Sequence, residues 1–119
     1  SWESVEQKRA MYAEVIRWHH TQVAYLFDRM KSIRESDGNT LLDNSMILMG
    51  GALGDGNEHD ASHLPTLLAG RGGGTIRTGR FIEHEEQIDL GTIHLALMQR
   101  MSVQLDKLGT AESAFQNLI

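Results

Sequence analysis

Six side chains that can bind a metal or transfer a proton lie within residues 55–65. They are Asp55, Asn57, Glu58, His59, Asp60 and His63. Apolar runs flank this segment at residues 46–51 and 64–70, and each run is short, ends in glycine and is typical of a buried strand. A polar loop after a buried strand is a common position for a ligand site in an open α/β sheet. The sequence therefore indicates that residues 55–65 carry the chemistry of this chain.

Three of these side chains have a spacing that suits metal binding. Asp55, Asn57 and His59 alternate along the chain, so that in extended or loop backbone their side chains can converge on one side. Carboxylate oxygen and imidazole nitrogen together suit a divalent transition metal, zinc or a similar ion, better than magnesium or calcium. A loop whose side chains only make hydrogen bonds is the alternative interpretation.

The start of this segment also resembles a calcium-binding loop, but the spacing excludes that class of site. Position six of such a loop requires glycine and would be Asp60, and position twelve requires glutamate and would be Thr66. His63 follows His59 by four residues and precedes a Leu-Pro pair. It remains open as a further ligand, an acid/base or anion contact, or an exposed residue.

Composition limits the classes of function. With 119 residues, of which 40% are hydrophobic, the chain is sufficient for one small domain. A net charge of −5 without a Lys/Arg cluster argues against nucleic acid as a partner. No apolar run is long enough to span a membrane, and no signal peptide is visible. Because the chain has no cysteine, any metal must be bound by His, Asp, Glu and Asn side chains.

A long amphipathic helix is predicted over residues 4–33. Ser4 and Gln7 form a candidate capping box at its start, and residues 35–39 have the turn composition that ends it. The spacing of its apolar stripe also suits a coiled coil, but we favour a helix that lies on a sheet. The stripe consists of Val5, Tyr12, Ile16, His19, Val23, Leu26, Met30 and Ile33.

Two adjacent histidines on this helix point about 100° apart and cannot both face the core. His19 lies on the apolar stripe, which favours a core histidine, and an anion or acid/base contact is the alternative. His20 is predicted to be solvated.

The remaining elements complete an α/β pattern. Residues 75–82 are predicted to form a small hairpin that turns at Thr78 and Gly79, and residues 71–74 to form a turn rather than an anion-binding loop. Asp89 is predicted to cap a second helix that carries Leu90, Ile93, Leu97 and Met101 on one face. Residues 1–119 are thus a single domain or a fragment of a larger α/β domain, because two or three strands form a poor sheet by themselves.

Several motifs taken together resemble one protein family. They are Trp18-His19, residues 40–45 (TLLDNS), residues 53–59 (LGDGNEH), residues 64–70 (LPTLLAG) and the glycines 72–74. In this combination and order the chain is similar to the C-terminal part of the HXXSHH-domain family, a bacterial domain of unknown function. The motif that names that family lies upstream of these residues, so we expect this chain to be a fragment whose partner is the upstream part of the same protein.

That family is in turn distantly similar to the alkaline phosphatase and sulfatase superfamily. The resemblance implies the C-terminal portion of an alkaline-phosphatase-like sheet, with Asp55 and His59 as metal ligands and Asn57 as a ligand or supporting group. The chain departs from the phosphatase pattern in two respects, since Asp55 and His59 are not adjacent and no nucleophile is present. His63 does not belong to the family pattern.

The resemblance leads to two functional expectations. The first is a metal-dependent, phosphatase- or sulfatase-like hydrolase of anionic esters. The second is a non-catalytic binding or assembly protein that retains the fold and uses the long helix as its partner surface. Members of the family resemble exported proteins, which implies a periplasmic or external location. A homo-oligomer is a further expectation, because a second copy could cover the open sheet edges.

Overall fold

The computed structural model describes residues 4–51, 66–83 and 88–119. The chain forms two compact units, Ser1–Leu41 and Leu42–Ile119. The described residues contain two α-helices and a two-stranded antiparallel sheet, so the predicted mixture of helix and strand is confirmed. The larger alkaline-phosphatase-like sheet stays a prediction. Neither helix in these ranges is long and apolar enough to cross a membrane.

The first unit consists of helix α1, Val5–Ser32, and the turn that follows it. The helix begins where predicted, because the Ser4 hydroxyl accepts a hydrogen bond from the Gln7 N–H and the Gln7 side chain accepts one from the Ser4 N–H. The turn after the helix is also confirmed. Gly38 adopts a left-handed φ of 86°, and the N–H of Glu35 donates to the Asn39 carbonyl at 2.9 Å.

No residue of α1 is buried. The large apolar side chains along the helix are instead exposed, among them Trp18 at 59% and Tyr25 at 65%. The prediction that the apolar stripe lies on a sheet is therefore not confirmed for the described residues. His19, which was expected in a core, is exposed as well, and that prediction is wrong.

The second unit contains strands β1, Ile47–Gly50, and β2, Thr66–Ala69. They pair antiparallel in a register that sets Ile47 opposite Ala69 and Gly50 opposite Thr66. Both strands lie inside the predicted apolar runs, but the prediction that they are buried is wrong. No residue of either strand is buried, because neither described helix packs closely on a face of the two-stranded sheet.

Residues 71–83 contain no strand, so the predicted hairpin over residues 75–82 is wrong. Gly79 has a left-handed φ of 75°, consistent with the expected turn, but the flanking residues bond elsewhere. The Arg77 N–H donates to the Leu118 carbonyl at 2.7 Å, and the Arg80 guanidinium donates to the Asn117 carbonyl at 3.0 Å. The segment is therefore held by the C-terminal tail instead of pairing with itself.

Helix α2, Leu90–Arg100, supplies the centre of the core. Asp89 caps it as predicted, but the buried residues of the helix are Leu95 and Ala96 and not the predicted face. Apolar residues occupy more than one face of the helix, so spacing alone does not distinguish the buried face from the predicted one. The C-terminal tail covers the buried face. The core consists of Ile76, Leu95, Ala96, Ala111 and Leu118.

Candidate functional site

The predicted ligand segment is bounded by two described residues of the sheet. Gly50 and Thr66 form the last pair of the register, at the open end of the two strands. The segment therefore leaves the sheet and returns to it at the same end. Residues 52–65 lie outside the described residues, and so do the four predicted site residues within them: Asp55, Asn57, His59 and His63.

An open cavity of about 290 Å³ lies at this end of the sheet. Residues from both strands and from α2 line it: Leu48, Gly50, Gly51, Thr66, Leu90 and His94. The lining consists mainly of apolar side chains and backbone atoms. The imidazole of His94 is the one ionisable group among these six residues. A small number of polar groups in a mainly apolar cavity is typical of ligand sites.

His94 was not among the candidate residues of the sequence analysis. It follows Leu90 by four residues and precedes Leu97 by three, so it belongs to the same face of α2 as these two predicted apolar residues. A histidine in such a stripe is a recognisable signal. The corresponding stripe of α1, which carries His19, is exposed in the structure.

The first turn of α2 is fixed by Asp89. Its carboxylate accepts hydrogen bonds from the Gly91 N–H, at 2.8 Å, and from the Thr110 hydroxyl, and its carbonyl accepts one from the Thr92 hydroxyl at 2.8 Å. The Thr110 hydroxyl, and to a lesser extent the Gly91 N–H, lower the pKa of Asp89 below its ordinary value, against a small opposing effect of desolvation. The carboxylate is charged at neutral pH and complements the N-terminal end of the helix dipole.

The last residue of α2 also links it to the glycine-rich turn. The Arg100 guanidinium donates to the carbonyl of Ala96 at 3.1 Å and to the carbonyl of Thr75 at 3.2 Å. Its Nε is buried and has no hydrogen-bond partner among the described residues. The two ends of α2 are thus attached to different parts of the second unit, which holds His94 in a fixed position between them.

The glycines of Gly72–Gly74 do not form an anion-binding loop. The N–H of Gly72 donates to the Ser45 carbonyl, that of Gly73 to the Asp43 carbonyl, and that of Gly74 to the Arg71 carbonyl, at 2.9–3.0 Å. With these three donors in use, none is left to bind a phosphate or sulfate group. The predicted turn is confirmed.

The two histidines of α1 are both exposed. The His19 ring lies edge-on to Trp18, with ring centroids 5.2 Å apart. Nδ1 of His20 lies 2.8 Å from the Ile16 carbonyl, and its exposure confirms the predicted solvated position. No further side chain of the described residues joins them in a site.

The described residues alone do not form a metal site. Within residues 4–51, 66–83 and 88–119, no group of three or more His, Asp or Glu side chains could hold a metal ion. The predicted ligands Asp55, Asn57 and His59 remain predictions. Comparisons of the chain with protein-family models, with curated proteins and with solved structures find no match.

Proposed function

We propose that this chain is part of a metal-dependent hydrolase of anionic esters, of the phosphatase or sulfatase type. Asp55 and His59 would hold a divalent metal, zinc or a similar ion, with Asn57 as a further ligand or support. Their oxygen and nitrogen donors match the preferences of such an ion. The resemblance to the HXXSHH-domain family supports the same three residues.

One observation supports the proposal most strongly. The pairing of Gly50 with Thr66 anchors both ends of the ligand-bearing segment beside the cavity at the end of the sheet. Asp55 is four residues from Gly51 in the chain. The proposed ligands thus belong to a segment whose flanking residues, Gly51 and Thr66, both line the cavity.

The chemistry follows from these residues. A bound divalent metal supplies an activated water or hydroxyl and a positive charge for an anionic ester oxygen. Asp55 and His59 would fix the position of that charge, and Asn57 would orient them. His63 would contact the anion or transfer a proton.

Metal analysis of the full-length protein tests this proposal. We expect purified, dialysed protein to retain about one zinc or similar ion and the Asp55→Ala/His59→Ala double variant to lose it. The matched control is Glu58→Ala/Asp60→Ala, which changes two neighbouring side chains of the same segment and should keep the metal. Equal metal content in the wild type and the Asp55/His59 variant would refute the proposal.

A second candidate function is a non-catalytic binding or assembly protein whose partner surface is α1. The observation that favours it is the exposure of the apolar stripe, including Tyr12 at 65% and Leu26 at 48%. Exposed apolar patches of this extent often mark interaction sites. Repeats of three and four residues also suit pairing with the same helix of a second copy.

Light scattering coupled to gel filtration tests this second candidate. We expect the wild type to be dimeric and the Leu26→Asp variant to be monomeric. Thr21→Asp adds the same charge on the polar side of the helix and should leave the dimer intact. A monomeric wild type over the whole concentration range would exclude self-association through α1.

A further inference from the structure

We propose that four arginines of the second unit bind the sulfate groups of a polyanionic substrate, a sulfated polysaccharide. We call these residues the arginine cluster: Arg71, Arg77, Arg80 and Arg100. The cluster includes the last residue of α2, whereas the cavity is lined by Leu90 at the start of that helix. The inference rests on the proposed function for the sulfate-ester chemistry of the substrate, but not on the metal site.

Three members of the cluster belong to one short segment that folds back on itself. The Arg71 carbonyl accepts a hydrogen bond from the Ile76 N–H at 3.0 Å, which places Arg71 beside Arg77. Nε of Arg80 donates to the Arg77 carbonyl at 3.2 Å. The same guanidinium is fixed on its other side by the Asn117 carbonyl at 3.0 Å. Local turns therefore bring the three arginines together.

Arg100 joins the same segment from α2. Its guanidinium donates to the carbonyls of Ala96, at 3.1 Å, and Thr75, at 3.2 Å. Its Nε is buried and has no hydrogen-bond partner among the described residues. Both acceptors are neutral carbonyls, so these contacts fix the position of the guanidinium without neutralising its charge.

No described carboxylate neutralises the cluster. Within residues 4–51, 66–83 and 88–119, the one salt bridge joins Arg17 to Glu14 in α1. The sequence between residues 66 and 82 contains no Asp or Glu. The second unit has ten acidic and five basic residues, a net charge of 5 − 10 = −5, and the cluster contains four of those five basic residues. The positive charge of an acidic unit is thus concentrated at one place, which favours an anionic ligand there.

The side chains suit sulfate groups on a polymer. The planar fork of N–H donors in a guanidinium matches the oxygen atoms of an oxyanion. Arg71 and Arg77 are exposed, and no described residue accepts a hydrogen bond from either guanidinium, whereas Arg80 and Arg100 are half-buried and held by carbonyls. Several separate charges favour a ligand with repeated anionic groups. Nucleic acid fits less well, because its denser charge would be repelled by the acidic remainder of the unit.

Heparin, a sulfated polysaccharide, is the probe that tests this inference, by calorimetric titration of the full-length protein. We expect Arg71→Ser/Arg77→Ser to weaken heparin binding at least about tenfold and to make its salt dependence shallower. Arg71→Lys/Arg77→Lys keeps both charges but loses the fork, and should recover part of the affinity. The matched control, Arg9→Ser/Arg29→Ser, removes the same charge from α1 and should have no effect.

The same titration distinguishes the ligand classes. Uncharged dextran should not bind, and a single-stranded oligonucleotide should bind more weakly than heparin. Tighter binding of the oligonucleotide would overturn the assignment to a sulfated polysaccharide. Absence of heparin binding, or equal weakening in the Arg71/Arg77 and Arg9/Arg29 serine variants, would overturn the site itself. Because the guanidinium groups of Arg71 and Arg77 contact no described acceptor, their serine variant should keep the wild-type thermal unfolding.

The outcomes also separate this inference from the proposed function. We expect Asp55→Ala/His59→Ala to lose the metal and to bind heparin as tightly as the wild type. If that variant keeps the metal while heparin binding depends on the arginine cluster, the metal-dependent hydrolase is wrong and the polysaccharide site stands. If the metal is lost as expected but wild-type protein does not bind heparin, the proposed function stands and the polysaccharide site is wrong.

Discussion

The Thr110 hydroxyl donates a hydrogen bond to the Asp89 carboxylate, which also caps α2 through the Gly91 N–H. One carboxylate therefore stabilises the first turn of the helix and attaches the C-terminal segment to it. Gly91 lies at the same contact, where an added Cβ atom would come within 3.0 Å of the Ala111 Cβ atom. This junction sets the start of the helix that carries His94.

The stability of the second unit should depend on the ionisation of Asp89. Its pKa in the folded protein is lowered, mainly by Thr110, so its contribution to stability is complete above the unfolded-state pKa of about 4. The contribution is lost as the pH falls through the lower, folded-state pKa. We expect Thr110→Val to raise the pKa of Asp89 towards its ordinary value, as measured by NMR titration of the carboxyl group.

The free energy of unfolding of Thr110→Val should fall less on acidification than that of the wild type. Urea unfolding at a series of pH values measures this difference. Thr78→Val is the control, because Thr78 is exposed and makes no hydrogen bond with Asp89. An unchanged Asp89 titration in Thr110→Val would show that the hydroxyl does not stabilise the charged form.

The turn after β2 should tolerate only glycine at position 70. Gly70 has a left-handed φ of 90°, and a Cβ atom there would collide with the backbone carbonyl of Ser45. We expect Gly70→Ala to lower the free energy of unfolding by about 2–5 kcal/mol, from backbone strain and overpacking together. Chemical denaturation measures this change.

Gly73→Ala is the matched control for that collision. Gly73 also has a left-handed φ, 69°, but a Cβ atom there would meet nothing within 4 Å. We expect only the strain cost of about 1–2 kcal/mol. An equal decrease in the free energy of unfolding in Gly70→Ala and Gly73→Ala would mean that the collision with Ser45 does not destabilise the fold.

Leu95 should be the most sensitive apolar position of the second unit. It is the largest fully buried side chain of the described residues, with 0% exposure. We expect Leu95→Ala to cost about 2–5 kcal/mol, through lost apolar burial and the cavity left behind. Met101→Ala, at a side chain that is 68% exposed, should cost less than about 0.5 kcal/mol. A Leu95→Ala variant as stable as Met101→Ala would contradict the assigned core.

The starts of both helices can be predicted from the sequence, because local chemistry determines them. Ser4 and Asp89 cap their helices because a side-chain oxygen next to free backbone N–H groups needs no tertiary partner. The conformation of residues 75–82 cannot be predicted in this way, because it depends on hydrogen bonds to the C-terminal tail. Arg77 bonds to Leu118, which lies far along the chain, and no local pattern predicts that bond.

The same distinction applies to the candidate site. The types and spacing of Asp55, Asn57 and His59 are visible in the sequence, whereas the cavity is lined by residues from both strands and from α2, which lie far apart in the chain. Spacing alone predicts that the face with Leu90 and Leu97 is the buried face of α2. Burial of Leu95 and Ala96 leaves His94 directed at the cavity, which only the packed structure reveals.

The capping box of α1 should determine the stability of its first turns. Helices in proteins are stabilised mainly by packing, but α1 has no buried residue, so local interactions contribute an unusually large share. We expect Ser4→Ala to cost about 1 kcal/mol and to speed amide hydrogen exchange at Gln7 about fivefold. Ser36→Ala, outside the helix, is the control and should leave the Gln7 exchange rate unchanged. Identical rates in Ser4→Ala and the wild type would show that the Ser4 hydroxyl, 3.1 Å from the Gln7 nitrogen, does not stabilise this helix end.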